Sequence, residues 1–275
     1  MNTEAAPWQS SNLVGVPAAQ LASTAFQADP QALVIAGVRD SHGGLFALLE
    51  RCHDAASARQ VFAQYMQTAF GLGPRDAAAA PDDGPRPHHR ASYLHLLQGW
   101  GLDANGSAGA VFKGWVQSRF GLAPTFHGAP LQRYPSPAWM GYLQQRHAAR
   151  WQNNRIHEQL DLLQSYAQWM LARFGLVAEP GARHVTLWRG STRVDEQLLA
   201  GSLRQRQCTV RLNNVVSFSL SRDDAGCFGD WVFEARVPIA KLLFCPGLVA
   251  GSVLHGEGEV IVLGGDYDVQ ARYDA

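Results

Sequence analysis

The chain is short of lysine: of 23 basic residues only Lys113 and Lys241 are lysines, and the other 21 are arginines. With the abundant alanine this marks genomic composition and points to no partner. Net charge is also missing, because Lys+Arg 23 balance Asp+Glu 23. A protein that grips nucleic acid by bulk phosphate neutralisation needs a positive field, so that class is set aside, although a local basic patch stays open. The four cysteines, Cys52, Cys208, Cys227 and Cys245, have no CxxC spacing across 275 residues. They argue against a disulfide scaffold and are expected as buried reduced thiols. Long apolar runs are absent too. The longest, Leu242 to Leu254, contains Pro246 and two glycines and falls short of the roughly 20 residues a spanning helix needs. Met1 to Gln20 has an acidic residue, no basic one and no uninterrupted apolar core, unlike a secretory signal. A soluble, cytoplasmic protein is expected. No GxGxxG follows a strand, and GxxxxGK[ST] and HExxH do not occur, which removes the usual dinucleotide, triphosphate and zinc-protease devices.

What remains is 47% hydrophobic and 17% charged, enough to bury a core. Up to about residue 178 the pattern is helical. Ser57 is expected to cap a segment in which Ala58, Val61, Phe62, Tyr65 and Ala69 recur at helical spacing; Ile156, Leu160, Leu163, Ala167, Met170 and Phe174 form a longer stripe of the same kind, and both of these faces are expected to be buried. Phe70-Gly71-Leu72, Phe120-Gly121-Leu122 and Phe174-Gly175-Leu176 read as helix stops, each with a left-handed glycine and an apolar residue folding back. Phe62/Tyr65, Phe112/Trp115 and Tyr166/Trp169 precede them at matching offsets, but the intervening sequences differ. Convergent capping explains this better than a solenoid repeat. Pro74 to Arg90, with His88-His89, reads as a mobile surface loop and not as a metal site.

From 179 onward the period becomes two. Strands are expected at His184 to Arg189, Cys208 to Ser219, Trp231 to Val237, Lys241 to Cys245, Glu259 to Leu263 and Tyr267 to Tyr273. Strands that follow helices, without alternating with them, make the fold α+β, with a helical region at 1–178 and a β-rich core at 179–275 in one compact unit. Three short pieces of that core could carry chemistry. Arg189-Gly190 ends a strand; a guanidinium there can fork onto a phosphate while the glycine lets the backbone approach a flat ligand, although such an arginine is commonly just solvated. Ser217 and Ser219 share one face of an apolar strand, where a half-exposed strand is the plain alternative. Glu257 and Glu259 share a face if extended, one strand step of about 6.6–6.8 Å apart, and like charges so placed raise each other's pKa or hold a cation. Solvated loop glutamates are the plain alternative there.

The order Arg189, Ser217-x-Ser219, Glu257-x-Glu259 resembles the signature of the arginine-specific mono-ADP-ribosyltransferases. Ala225 and Phe228-Gly229 are similar to that superfamily's small helix after the serine strand, and Gly256 to Val260 to its glutamate loop. Phe218 stands where many of these enzymes have threonine, on the opposite face, so little catalytic effect is expected. Nearly the whole chain from Asn12 resembles the dinitrogenase reductase ADP-ribosyltransferases of nitrogen-fixing bacteria, notably at Asn12 to Gly15, Leu21 to Phe26, Leu96 to Asn105, Lys113 to Gly121 and Leu212 to Arg222. The resemblance implies cleavage of the nicotinamide glycosidic bond of NAD and transfer of ADP-ribose to an arginine, with no metal required. It implies that Glu259 holds the ribose and stabilises its positive charge, Ser217 orients Glu259, Arg189 anchors the phosphate and ribose side, and Gly190 offers its backbone to the carboxamide. Ser219 belongs to the NAD site, and Glu257 takes the proton of the acceptor. The implied target is the nitrogenase iron protein, with a PII signalling protein as regulator. The helical part, which shows no obvious catalytic residue, is left to packing, part of the NAD cleft and target docking. The same chemistry on another arginine target, or an inactive NAD-binding docking module, are the other readings.

Overall fold

A computed structural model describes residues 11–72, 90–192, 194–251, 253–254 and 258–273. The stretch before Arg90, with His88-His89, lies outside the described residues. Four short helices come first, α1 (Ala18–Leu21), α2 (Thr24–Ala28), α3 (Val38–Ser41) and α4 (Gly43–Leu49). Three longer ones follow, α5 (Ala55–Phe70), α6 (Tyr93–Leu102) and α7 (Ser107–Phe120). A small hairpin, β1 (Phe126–His127) with β2 (Ala129–Pro130), leads to α8 (Pro137–Arg146) and α9 (Ile156–Phe174).

The Phe-Gly-Leu stops are as the sequence indicates. Gly71, Gly121 and Gly175 follow α5, α7 and α9 at φ 61°, 74° and 60°, and Leu72 and Leu122 are buried behind them. The start of α5 differs. Its cap is Asp54, whose Oδ1 accepts the Ser57 N–H at 2.8 Å, so the helix begins at Ala55 and Ser57 sits within its first turn. A carboxylate on the free N–H groups, at the positive end of the helix dipole, outcompetes the hydroxyl. The long helix α9 buries Ile156, Leu160, Leu163, Ala167 and Met170 on one side and Leu162, Tyr166 and Trp169 on another. Tyr166 stacks on Phe62 of α5 at 3.8 Å between ring centres.

The sheet contains β3 (His184–Ser191), β4 (Leu198–Ser202), β5 (Gln207–Ser219), β6 (Trp231–Pro238), β7 (Leu242–Phe244) and β8 (Glu259–Tyr273). Helix α10 (Val194–Gln197) precedes β4 and α11 (Arg222–Gly226) follows β5. All pairings are antiparallel, in the order β4-β5-β3-β6-β8-β7, and β5 also pairs with β8. The circuit β5–β8–β6–β3 therefore closes on itself. The fold is α+β, as the order of periodicities implies.

One division of the sequence is corrected. Glu259 to Leu263 and Tyr267 to Tyr273 form a single strand, because Gly264-Gly265 makes a bulge and not a break. Leu212 pairs with Gly265 and Val215 with Leu263, so Asn213 and Asn214 face the single residue Gly264. A side chain at Gly264 would meet the Asn213 carbonyl oxygen at 1.6 Å, and Gly265 has φ 111°. Of the cysteines, Cys52, Cys208 and Cys245 are buried and Cys227, just after α11, is exposed; all four are free.

Side-chain amides join helices to sheet. Gln27 of α2 donates to the carbonyls of Arg236 (3.2 Å) and Asp268 (3.0 Å) and accepts the Asp268 N–H (2.7 Å). From α9, Gln168 donates to the carbonyls of Ile239 (3.2 Å) and Leu242 (2.9 Å). Asn214, in the β5 bulge, donates to the carbonyls of Lys113 and Leu122, both at 2.9 Å. Such bonds satisfy the buried side-chain amides against main-chain groups of the neighbouring element, and they fix the packing register. Among the described residues no helix is long and apolar enough to cross a membrane.

Candidate active site

Register brings two of the signature pieces together. On the paired strands β5 and β8, Ser219 lies opposite Glu259 and Ser217 opposite Ile261, so Ser217 and Glu259 are diagonal neighbours, within reach of each other on one face. The Ser217 hydroxyl donates to Glu259 Oε1 at 2.6 Å, a length typical of a hydroxyl held by a charged carboxylate. Phe218 points away into the core beside Tyr267, as the alternation of a strand requires.

Arg189 enters from β3, and its Nη1 donates to the Ser217 carbonyl at 2.6 Å. Its Nε is buried and has no partner among the described residues. Burial lowers the guanidinium's pKa, and the nearby Glu259 carboxylate opposes that shift. A forked cation fixed at one tip, with an unsatisfied donor on its stem, is suited to meeting an anion.

The backbone of Gly190 is crowded. A Cβ there would lie 2.1 Å from the Ala225 carbonyl oxygen and 3.0 Å from the Phe228 carbonyl carbon, so its glycine lets the turn after α11 pack on β3. Gly190→Ala is expected to cost about 1–3 kcal/mol from overpacking against main chain that cannot swing aside. A urea melt checks it: unchanged stability would show that the turn yields.

Ser219 holds the next turn, its Oγ accepting the Ser221 N–H at 3.0 Å. The Leu220 N–H donates to the Gly258 carbonyl at 2.9 Å, which fastens the approach to Glu259 onto the serine strand. Helix α11 is capped by Ser221, whose hydroxyl accepts the Asp224 N–H at 3.2 Å. It supplies the small helix expected after the serines. Glu257 lies outside the described residues, so Arg189, Ser217, Ser219 and Glu259 are the signature side chains the structure brings together.

A residue the sequence did not single out completes the arrangement. Trp100 of α6, 4% exposed, donates its indole N–H to Ser217 Oγ at 3.0 Å. Its only sequence signal was its place in the Leu96 to Asn105 segment. Ser217, Arg189, Gly190 and Trp100, with Lys113 and Phe228, line a cavity of about 1190 Å³, large enough for a dinucleotide. Among the described residues no group of three or more His, Cys, Asp or Glu side chains could hold a metal ion.

The dinitrogenase reductase ADP-ribosyltransferase profile matches residues 11–271. The chain belongs to that family. It is similar to the NAD(+)–dinitrogen-reductase ADP-D-ribosyltransferase of Rhodospirillum rubrum, with 46% identity over 266 residues, covering 96% of this chain and 95% of that protein. No solved structure matches the chain. Family membership gives the convergence of Arg189, Ser217 and Glu259 a chemical context that geometry alone leaves general.

Proposed function

We propose that this protein uses NAD to ADP-ribosylate dinitrogenase reductase, the nitrogenase iron protein, on an arginine side chain, and so regulates nitrogen fixation. The observation that carries the site assignment is the 2.6 Å bond from Ser217 to Glu259, with Arg189 on the same serine's carbonyl. Family membership and the similarity to the Rhodospirillum rubrum NAD(+)–dinitrogen-reductase ADP-D-ribosyltransferase support the substrate pair. Arginine as acceptor rests on the Glu257-x-Glu259 resemblance.

Breaking the nicotinamide bond develops positive charge on the ribose in an oxocarbenium-like state. Glu259 supplies the opposing charge and holds a ribose hydroxyl. Ser217 holds Glu259 by one oxygen, leaving the other for the sugar. Arg189 anchors the phosphate and ribose side with its guanidinium, Gly190 offers backbone to the carboxamide, and Ser219 shapes the turn beside them. The acceptor guanidinium, with a pKa above 12, is no nucleophile while protonated; Glu257 holds it and takes its proton. Charge on the sugar is answered by a carboxylate, and bond cleavage needs no metal. The reaction takes place in the cytoplasm, with a PII signalling protein as regulator.

The decisive experiment is mass spectrometry of purified iron protein incubated with this protein and NAD. One added ADP-ribose on an arginine peptide is expected; an unmodified target, with another arginine protein labelled instead, would redirect the assignment. Arg189→Lys keeps the charge and loses the planar fork. Affinity for NAD should weaken by about tenfold, consistent with loss of one charge-assisted bond. Calorimetry, or protection by NAD against thermal unfolding, reads it, and unchanged binding would leave Arg189 a structural tie to Ser217.

A further inference from the structure

The geometry points to Trp100 as a positioning residue for the reaction: its indole N–H fixes the direction of the Ser217 hydroxyl and thereby holds Glu259 in place. This inference rests on the activity proposed above.

An indole nitrogen can only donate, and a serine hydroxyl has one hydrogen to give. With the Trp100 N–H delivered to Ser217 Oγ at 3.0 Å, that oxygen is the acceptor there, and its own hydrogen goes to Glu259 Oε1 at 2.6 Å. The polarity of the chain Trp100 → Ser217 → Glu259 is thus set by a pure donor at the helical end and an accepting carboxylate at the other. Without the indole, the half-buried hydroxyl can turn to water or to ligand, and the carboxylate loses its tether.

The indole is itself held from behind. Phe112 meets it edge-on at 5.5 Å, and Lys113 Nζ lies 6.0 Å from its ring centre. Lys113 is pinned by three acceptors, Asn105 Oδ1 at 3.4 Å, the Phe126 carbonyl at 3.1 Å and His127 Nδ1 at 3.2 Å. His127 Nε2 lies 2.8 Å from Gln145 Oε1, an oxygen that only accepts. The imidazole proton therefore sits on Nε2, and Nδ1 offers Lys113 a lone pair. Burial lowers the Lys113 pKa to about 8, an effect Asp103 opposes.

The same wall is fastened to the serine strand. In the β5 bulge, Asn214 holds the carbonyls of Lys113 and Leu122, while Asn213 donates to the Phe126 carbonyl at 2.8 Å and accepts the Thr125 N–H at 2.9 Å. Donor and acceptor of the Trp100–Ser217 bond are thus located by one strand, three residues upstream of the serine. Through this bond the helical part reaches Glu259 by way of a single hydrogen atom.

Trp100→Phe keeps the ring and removes that atom. Expected is a fall in kcat for nicotinamide release of about tenfold, the scale of one hydrogen bond's net worth, with KM for NAD within about twofold. In a Ser217→Ala background the same change should cost nothing further, because the relay is already cut. Packing alone would give the opposite pattern, an equal loss in both backgrounds, and that result, or full kcat in Trp100→Phe, overturns the inference. Wild-type protein that releases no nicotinamide, or Glu259→Gln with wild-type release, would instead sink the underlying activity. If Trp100→Phe does not fold, the Trp100 indole N–H decides: in Ser217→Ala it should exchange with solvent several times faster than in wild type, and equal exchange counts against the bond.

Discussion

Glu259→Gln is expected to lower nicotinamide release and ADP-ribosyl transfer together by roughly 10²–10³-fold, the scale seen when one preorganised electrostatic stabiliser is lost. The substitution isolates charge. A glutamine oxygen still accepts the Ser217 hydroxyl hydrogen, and Glu259 is only half-buried at the start of β8, so packing and the β5–β8 register should survive. What disappears is the negative charge facing the ribosyl cation, an interaction strongest in the transition state, so the loss should fall on kcat more than on KM. Circular dichroism and a melting curve establish folding, and nicotinamide release gives the rate. Wild-type release from a folded variant would remove Glu259 from the chemistry.

Much of the β-rich part could be read from sequence because half-exposed strands alternate, and alternation also places Ser217 and Ser219 on one face with Phe218 opposite. The errors arose where one residue type serves two purposes. Gly264-Gly265 signals a break and a bulge equally well, and only the approach of Asn213 decides between them. Strand β4 has no clear alternation, and β1 and β2 are two residues each, too short for any period to register. Trp100 was out of reach for a different reason. Its partner is 117 residues away, and helical spacing marks it merely as apolar, since an indole N–H leaves no trace in a hydrophobic pattern. The order of Arg189, Ser217 and Glu259 was visible, whereas the shared grip of Arg189 and Trp100 on one serine required the packed strands.

The largest separation of two activities is expected from Glu257→Gln: transfer to arginine should drop by roughly 10²-fold or more, the range of general-base contributions, while hydrolysis of NAD persists. The motivating observation is the Glu257-x-Glu259 spacing in the sequence, with Glu259 assigned to the ribose by its bond to Ser217. The two glutamates then serve different bonds. Water needs little activation to trap an oxocarbenium ion, but a guanidinium with a pKa above 12 must shed a proton before its nitrogen lone pair can form a bond. A glutamine at 257 can still hold the guanidinium by a hydrogen bond and cannot accept its proton, so acceptor binding should weaken less than transfer does. Nicotinamide release and ADP-ribosyl-arginine formation, measured on one preparation, give the ratio directly. Equal loss of both would move Glu257 into bond cleavage or folding, and no change in either would make it a solvated glutamate whose match to the signature carries no chemistry.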